Sequence, residues 1–502
     1  MFYNATPWYR YMITSIVFAI VIHFVFGFIL GLSVDEAHYA LYGLHLDWSY
    51  FDHPPLVGWI QALPVQWNWS EGWLRFIPEA LWLIGLLLCL RITHTLLEQF
   101  RSSFDYITVK AAMFWTSLIF LLAPIMHVLG VGLLPDTLLL VLVPAMMLIT
   151  LHLKEKLDQR KPHDLWQWIL LGIVLGLSGL AKYTALFFAL AIPYCLIAWH
   201  GLKIFRRPGL YLCLFIATIL ISPVIIWNYQ HEWVSFIYQF GHGTGGEWKF
   251  KKVFVFILNQ SVTYGLLIIL GIAWHIRKRS LEPKALLSFF LIPFVLFAYF
   301  SGGGGSLPHW TAPAWVALLP IAGIGLAQAW GSGRRFWISL IASAQLLICI
   351  LGFILLFFGG IPQIDKNHEW GKKNPIADLY GWKEAGIRMK ELSKQHKIPH
   401  LAVQNWTLAS RMAWYARPLQ VFVLDERIDQ FDLWSGPLPV GSDALVLDWS
   451  QMAFLVPVSN TGFESCETLS TQTVHRLGRN IAQFDFLLCK NWQGHFSPQR
   501  VP

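Results

Sequence analysis

Charge is scarce in this chain of 502 residues. Asp, Glu, Lys and Arg together make up 13% of it, about half of the ~25% usual for soluble domains, which excludes a surface wetted on every side. Acidic residues are the rarer sign, 29 against 37 basic, for a formal net charge of +8. That excess does not point to nucleic acid, because in a chain of many apolar runs the placement of charge says more than its sum. Cysteine is rare as well, six in all, and Cys89, Cys195, Cys213 and Cys349 lie in apolar runs where a small buried hydrophobe is expected. No repeat of fixed period occurs. No small-residue cleavage site follows the first apolar run, so that run reads as a retained signal anchor. The one low-complexity tract, "SGGGGS" at 301–306, lacks the Lys-Ser/Thr of a phosphate-binding loop and reads as a flexible hinge.

What the chain has instead is apolar length. Hydrophobic residues make up 56% of it, and runs long enough to span a ~30 Å hydrocarbon layer fall near 11–32, 76–97, 107–128, 135–153, 165–181, 184–199, 209–227, 253–274, 285–300, 311–330 and 336–358. The expected fold is therefore an α-helical polytopic membrane protein with about eleven transmembrane helices. Basic residues collect on every second connector: Arg101; Lys154, Lys156, Arg160 and Lys161; Lys203, Arg206 and Arg207; Arg277, Lys278, Arg279 and Lys284; Arg334 and Arg335. The positive-inside rule makes those connectors and the N-terminus cytoplasmic. The opposite connectors, including residues 33–75, are poor in Lys and Arg and carry Trp48, Trp59, Trp67, Trp69 and Trp73, as an outer interface and a helix lying along it require.

From Gly359 onward the composition turns polar, and an odd number of helices places this tail outside. Within it "GWKEAGIRMKELSKQ" and "TLASRMAWYAR" read as helices, and "HLAVQNW", "LQVFVLD", "DALVLDW" and "AQFDFLLCK" as strands, giving a C-terminal α/β extracytoplasmic domain over 359–502 behind a membrane domain over 1–358. Cys466 and Cys489 are the only cysteines in that exported part; an oxidising compartment permits a disulfide, and sequence separation alone neither makes nor forbids it.

The chemistry concentrates just beyond the first apolar run, in "SVDEAHYALYGLHLDWSYFDHPPLVGW" at 33–59. Ser33 with Glu36 fits a capping box, and Asp35 in the first turn suits the helix dipole. Asp35, His38, Tyr39 and Tyr42 then follow at i, i+3, i+4 and i+7, one helix face holding an acid, an imidazole and two phenols. Asp52 and His53 stand before Pro54 and Pro55, which make the preceding backbone extended and stiffen the elbow. An ordinary cap and an interfacial turn would account for part of this, but not for the whole face.

"DEAHY" followed by "FDHPP" in the first external loop resembles the protein O-mannosyltransferases and, more broadly, GT-C glycosyltransferases of the lipid A aminoarabinose transferase type. The tail segments "DLYGWKE", "LASRMAWYA" and "DERIDQFDLWSG" resemble bacterial members of that group. The resemblance implies inverting transfer, at the outer face of a bacterial inner membrane, from a polyprenyl-phosphate sugar, undecaprenyl phosphate being the expected carrier. The acceptor would be lipid A, another envelope glycan or a protein. Asp35 matches the family's catalytic acid, with Glu36 its neighbour in the motif. Where the aminoarabinose type has an acid-lysine pair this chain has Asp52-His53, so the resemblance supplies no lysine contact to phosphate at position 53.

A cation for the departing phosphate must then come from elsewhere. Lys182 in "GLAKYTAL", next to Tyr183, sits near the outer end of the fifth helix, where a lysine either snorkels or binds something. Lys249, Lys251 and Lys252 form a basic cluster on an outer connector, against the positive-inside trend. Asp136 in "LLPDTLLL" starts the fourth helix as a cap or a site residue, and His309 beside Trp310 faces the same region or the interface. The closeness of Asp35, Glu36, His38, Asp52 and His53 in one loop leaves room for a divalent metal, although no fixed-spacing ligand motif such as H-E-x-x-H is present. The rival class is a secondary transporter, which would show internal repeats and charges near the bilayer midplane; here the charges gather at one face.

Overall fold

The structure is a computed structural model of the whole chain, and it describes residues 7–99, 106–159, 164–244, 246–277, 282–360, 374–451, 454–455, 462–495 and 499–500. The basic residues Arg101, Arg160, Lys161, Lys278 and Arg279 lie outside the described residues. Two compact units divide the chain: one comprises Met1–Gly27, Asp47–Ile60 and Leu74–Cys349, the other Phe28–Leu46, Gln61–Trp73 and Ile350–Pro502.

The first unit is helical. Among the described residues, eight helices are long and apolar enough to cross a membrane: Pro7–Ile29, Glu71–Glu98, Pro135–Asp158, Ala185–Arg206, Pro208–Gln230, Lys284–Gly303, Pro308–Gly331 and Arg335–Phe358. Two bent pairs, Val109–Leu121 with Pro124–Val131 (73°) and Phe250–Tyr264 with Leu266–Arg277 (95°), raise the number to ten if each is one span. The shorter apolar helix Leu165–Ala181 completes the agreement with the apolar runs of the sequence. Each bend has a local cause. Pro124 cannot continue the ladder of the preceding helix, and Gly265 adopts φ +86°, a conformation that ends a helix.

Nearly every residue of Pro308–Gly331 is buried, at the centre of the unit, whereas few residues of Arg335–Phe358 are. Small residues allow the close crossings: a Cβ on Gly325 would lie 2.0 Å from the carbonyl oxygen of Gly271, and one on Gly323 would lie 2.1 Å from Thr116 Oγ1. The tract "SGGGGS" is not a hinge. Residues 301–303 are buried at the end of the helix Ser288–Gly303, Lys249 N donates to Gly302 O at 2.8 Å, and a Cβ on Gly302 would meet the Trp248 ring at 2.2 Å. Gly302 is there for close approach.

The second unit contains a mixed sheet. Its strands are β1 (His400–Val403), β2 (Gln420–Val423), β3 (Ala444–Trp449), β4 (Phe454–Leu455), β5 (Phe463–Arg476), β6 (Arg479–Trp492) and β7 (Gln499–Arg500). Five of them follow the order β2-β1-β3-β6-β5, with β1 parallel to β2 and β3, and β6 antiparallel to β3 and β5; β4 and β7 pair separately. The helices Trp382–His396 and Trp406–Tyr415 precede β1 and β2, as parallel pairing demands a covering crossover. Ala402, Phe422, Val446, Leu487 and Trp492 belong to the core on one face, while Trp382, Trp449 and Phe484 pack together elsewhere in the unit. β5 is missing from the sequence reading: "FESCETLSTQTVHR" alternates little between apolar and polar, because it lies at the sheet edge with a mostly accessible burial pattern. Pairing β5 to β6 sets Cys466 opposite Cys489, and the two are bridged.

Candidate active site

Within the second unit, the helix Val34–Leu44 starts at Ser33, whose hydroxyl accepts from Glu36 N at 3.4 Å while Glu36 Oε2 accepts from Ser33 N at 3.0 Å. The capping box is formed, and the Glu36 carboxylate is committed to closing the helix end. Asp35 is partly exposed in the same first turn. His38, 3% exposed, has its Nδ1 2.9 Å from Ser410 Oγ and its Nε2 3.2 Å from the Tyr42 hydroxyl, and it packs against Trp406. His38 thus joins this helix to Trp406–Tyr415. Tyr39 is buried, and its carbonyl accepts from Gln61 Nε2 at 2.8 Å. The face read from the sequence is real, but most of it is turned into the unit's own packing.

Sequence reasoning did not single out Arg411. The residue is 2% exposed, and its guanidinium pairs with Asp378 and lies 4.3 Å from the Trp382 ring centroid and 5.1 Å from that of Trp449. Burial pushes its pKa below the ordinary arginine range, while the acidic groups of Asp35 and Tyr415 push it back up. Asp378 Oδ2 also accepts from Val34 N at 3.2 Å, and the Tyr415 hydroxyl accepts from Leu32 N at 2.8 Å. In sequence Arg411 lies in an amphipathic helix, where an arginine reads as a solvated face. Only the two tryptophans, far away in the chain, mark it otherwise.

In the first unit, Asp52 and His53 form the expected elbow. Gln239 Nε2 donates to the Asp52 carbonyl at 2.7 Å, Tyr50 N donates to the His53 carbonyl at 3.1 Å, and the two side chains are 4.0 Å apart. The neighbouring Asp47, not singled out before, accepts from Trp227 Nε1 at 2.8 Å. The Tyr183 hydroxyl lies 3.4 Å from Ser49 Oγ and accepts from Asn228 Nδ2 at 3.5 Å. This ties the segment before the elbow to the residues that follow Leu165–Ala181.

Three residues that the sequence offered separately meet here. Lys182 Nζ donates to Asp136 at 2.8 and 2.7 Å, His309 Nε2 lies 3.7 Å from Asp136 Oδ2, and the Lys182 ammonium sits 5.7 Å from the Trp310 ring centroid. Asp136 is 1% and Lys182 5% exposed. Of the alternatives that the sequence leaves open at Asp136 and Lys182, two fall away. Asp136 does not cap its helix: the cap position is Leu134, whose N–H donates to Thr137 Oγ1 at 3.2 Å. Lys182 does not snorkel, because a buried carboxylate neutralises it where it stands. Gln260 Oε1 accepts from Trp315 Nε1 at 2.9 Å and from Thr311, and the Tyr264 hydroxyl donates to Pro308 O at 2.8 Å, which fastens the turn bearing His309. Lys249, by contrast, is exposed and pairs with Glu247 at 2.8 Å.

Among the described residues no group of three or more His, Cys, Asp or Glu side chains is placed to hold a metal ion. The chemistry on offer is that of carboxylates, one buried ammonium and imidazoles.

Residues 52–227 match the model of the dolichyl-phosphate-mannose-protein mannosyltransferase family. The lipid A galacturonosyltransferase RgtD of Rhizobium johnstonii is 22% identical over 323 residues, covering 62% of this chain; the match spans 64% of that relative's length. The crystal structure of ArnT from Cupriavidus metallidurans in the apo state agrees with a TM-score of 0.62 at 16% identity, over 98% of this chain and 100% of that one. The same protein bound to undecaprenyl phosphate agrees with a TM-score of 0.63 at 17% identity, over 99% and 100%. A helical membrane part, an α/β tail and agreement in fold over nearly the full length make this chain a polytopic membrane protein of the GT-C fold, with the mannosyltransferase family's pattern across residues 52–227.

Proposed function

We propose that the chain is an inverting glycosyltransferase that moves a sugar from a polyprenyl-phosphate donor to a lipid A, other envelope glycan or protein acceptor on the periplasmic face of a bacterial inner membrane. What carries the reading is one chemistry common to two likenesses: the matching family is described by dolichyl-phosphate mannose, and the matching structure by bound undecaprenyl phosphate. Both are polyisoprenyl phosphates. The galacturonosyltransferase relative favours lipid A as acceptor.

In this reading residues 1–358 are the transferase domain, 33–75 its catalytic external loop and 359–502 a periplasmic domain. The acceptor oxygen attacks the anomeric carbon from the side opposite the phosphate, its proton passes to Asp35, and the electron pair of the breaking C–O bond leaves with the polyprenyl phosphate. Charge grows on that phosphate as the bond breaks, so a fixed cation stabilises the transition state more than the bound donor. Lys182 is the assigned cation, preorganised by Asp136; Asp52, His53, Tyr183 and His309 are assigned to substrate binding, with Lys249 next in line for the phosphate.

The test is a mass spectrum of lipid A, envelope glycolipids and exported proteins from cells with the wild-type chain, without it, and with Asp35→Asn. A sugar should appear only with the wild type, because removing a general base typically costs ~10²–10⁴ in rate. Wild-type modification by Asp35→Asn would sink the assignment. Orientation is tested with single cysteines: one at Ser442 should react with a membrane-impermeant thiol reagent in cells whose outer membrane is breached, and one at Gln159 should not. The reverse pattern would turn the chain over.

A further inference from the structure

Besides Asp136 and Lys182, the first unit buries a second set of titratable side chains. His23 Nδ1 lies 2.7 Å from Glu79 Oε2, His23 Nε2 lies 2.8 Å from His127 Nδ1, and His127 Nε2 donates to the Leu121 carbonyl at 2.7 Å. His23 stands on Pro7–Ile29, Glu79 on Phe76–Gln99 and His127 on Pro124–Val131, so this chain of bonds joins two helices to the second half of a bent pair. Leu121 ends the first half, and a helix leaves its last carbonyls unpaired. The His127 imidazole supplies the missing donor across the bend, as a backbone in hydrocarbon requires. His23 is 3% and Glu79 8% exposed. The His23 ring stands edge-on to Trp82 with 5.0 Å between centroids, and a Cβ on Gly130 would lie 2.7 Å from its Cε1, so the ring has little room to turn.

Counting hydrogens fixes the charge of the trio. A carbonyl only accepts, so His127 Nε2 carries a hydrogen, and each of the other two bonds needs one more. Three are required, whereas two neutral imidazoles and an ionised carboxylate supply two. We propose that His23, Glu79 and His127 form a proton-binding site, holding one proton shared between His23 and Glu79, and that the occupied site completes a latch across the bend between Leu121 and Pro124. Without that proton, one bond of the chain is left with two acceptors and no hydrogen. Glu79 Oε1 is buried with no hydrogen-bond partner, and a bare carboxylate oxygen is costly there unless its charge is cancelled, which the shared proton does. Arg75, one turn before Glu79, donates to Gly27 O at 2.7 Å. On the helices packed against the trio, Asp136 is paired with Lys182, Lys251 and Lys252 are exposed where Phe250–Tyr264 begins, and Arg10, Arg91, Lys110 and the His94–Glu98 pair lie toward the opposite ends of their helices.

The test compares wild type with Glu79→Gln, whose amide donates to His23 Nδ1 and so fills all three bonds with no added proton. In the unfolded chain the glutamate gives up its proton near pH ~4.3, while the folded site still holds one above that. The stability that this proton adds is therefore fully present below ~4.3 and is lost as pH rises toward the value at which the folded site empties. Melting temperatures of the two full-length proteins in detergent, from mildly acid to mildly alkaline pH, should show Glu79→Gln gaining steadily on wild type. Each pH unit should cost wild type up to ~tenfold in its folded-to-unfolded ratio relative to the variant. Parallel curves overturn the proposal, because a packing role alone gives no such difference. If Glu79→Gln does not fold, nitrogen NMR of wild type labelled with ¹⁵N at histidine decides. Coupling across a hydrogen bond between two imidazoles identifies His23 and His127, and at neutral pH the other nitrogen of the donor ring should be protonated or hydrogen-bonded, turning bare only at higher pH. A bare nitrogen there at neutral pH, or no coupled pair of rings, overturns the proposal. Neither measurement needs turnover, so this site and the transferase reading fail separately.

Discussion

Removing the charge of Lys182 should do two separable things. In Lys182→Met the Asp136 carboxylate, 1% exposed, loses both of its hydrogen bonds to the ammonium, and stranding one partner of a buried pair typically costs ~3–5 kcal/mol. His309, 3.7 Å from Asp136 Oδ2, is too far to replace a bond of 2.7 Å. The double variant Lys182→Met/Asp136→Leu buries no charge at all. Replacing a buried pair by apolar residues of similar volume is often neutral or stabilising by ~1–4 kcal/mol, so the double variant should recover what the single one lost. Thermal unfolding in detergent, followed by size-exclusion chromatography of the heated samples, reads the order: Lys182→Met well below wild type, the double variant near or above it. Activity then separates the roles. If Lys182 meets the donor phosphate, the stable double variant stays inactive, and charge-preserving Lys182→Arg keeps part of the turnover. A Lys182→Met protein as heat-stable as wild type would refute the buried pair, and an active double variant would refute the cation.

Glu36→Gln should preserve the capping box, since an amide oxygen still accepts from Ser33, and turnover should survive; a loss as deep as that of Asp35→Asn would return Glu36 to the chemistry. Burial pushes the Asp429 carboxyl up to about 7, with Asp432 and Asp425 adding to it against the bond from Phe431 N and the charge of His38. The folded chain therefore keeps this proton from the ordinary carboxylate range, ~4, up to about 7, where the unfolded chain has lost it. Stability should fall as pH rises across that window and level off above it. Asp429→Asn, which still accepts from Phe431 N, should flatten the fall, as measured by melting temperatures from acid to neutral pH; parallel curves for the two proteins would refute it.

Features that depend on neighbours along the chain could be read from the sequence. The apolar runs became helices because a backbone in hydrocarbon must satisfy its hydrogen bonds internally, and length and hydropathy suffice to recognise such segments. The cap of Val34–Leu44 was legible because Ser33 and Glu36 stand three residues apart. The strands with apolar cores, β1, β2, β3 and β6, were legible from their runs, whereas polar β5 became a strand through its partner. The pairing of Lys182 with Asp136 and His309, the bridging of Cys466 to Cys489, and the enclosure of Arg411 by Trp382 and Trp449 had no local signature. Each spends charge, a thiol or a cation on a partner that the backbone delivers from far along the chain. Whether a lysine snorkels or a carboxylate caps is decided by the relative cost of its alternatives, and those exist only after the helices have packed.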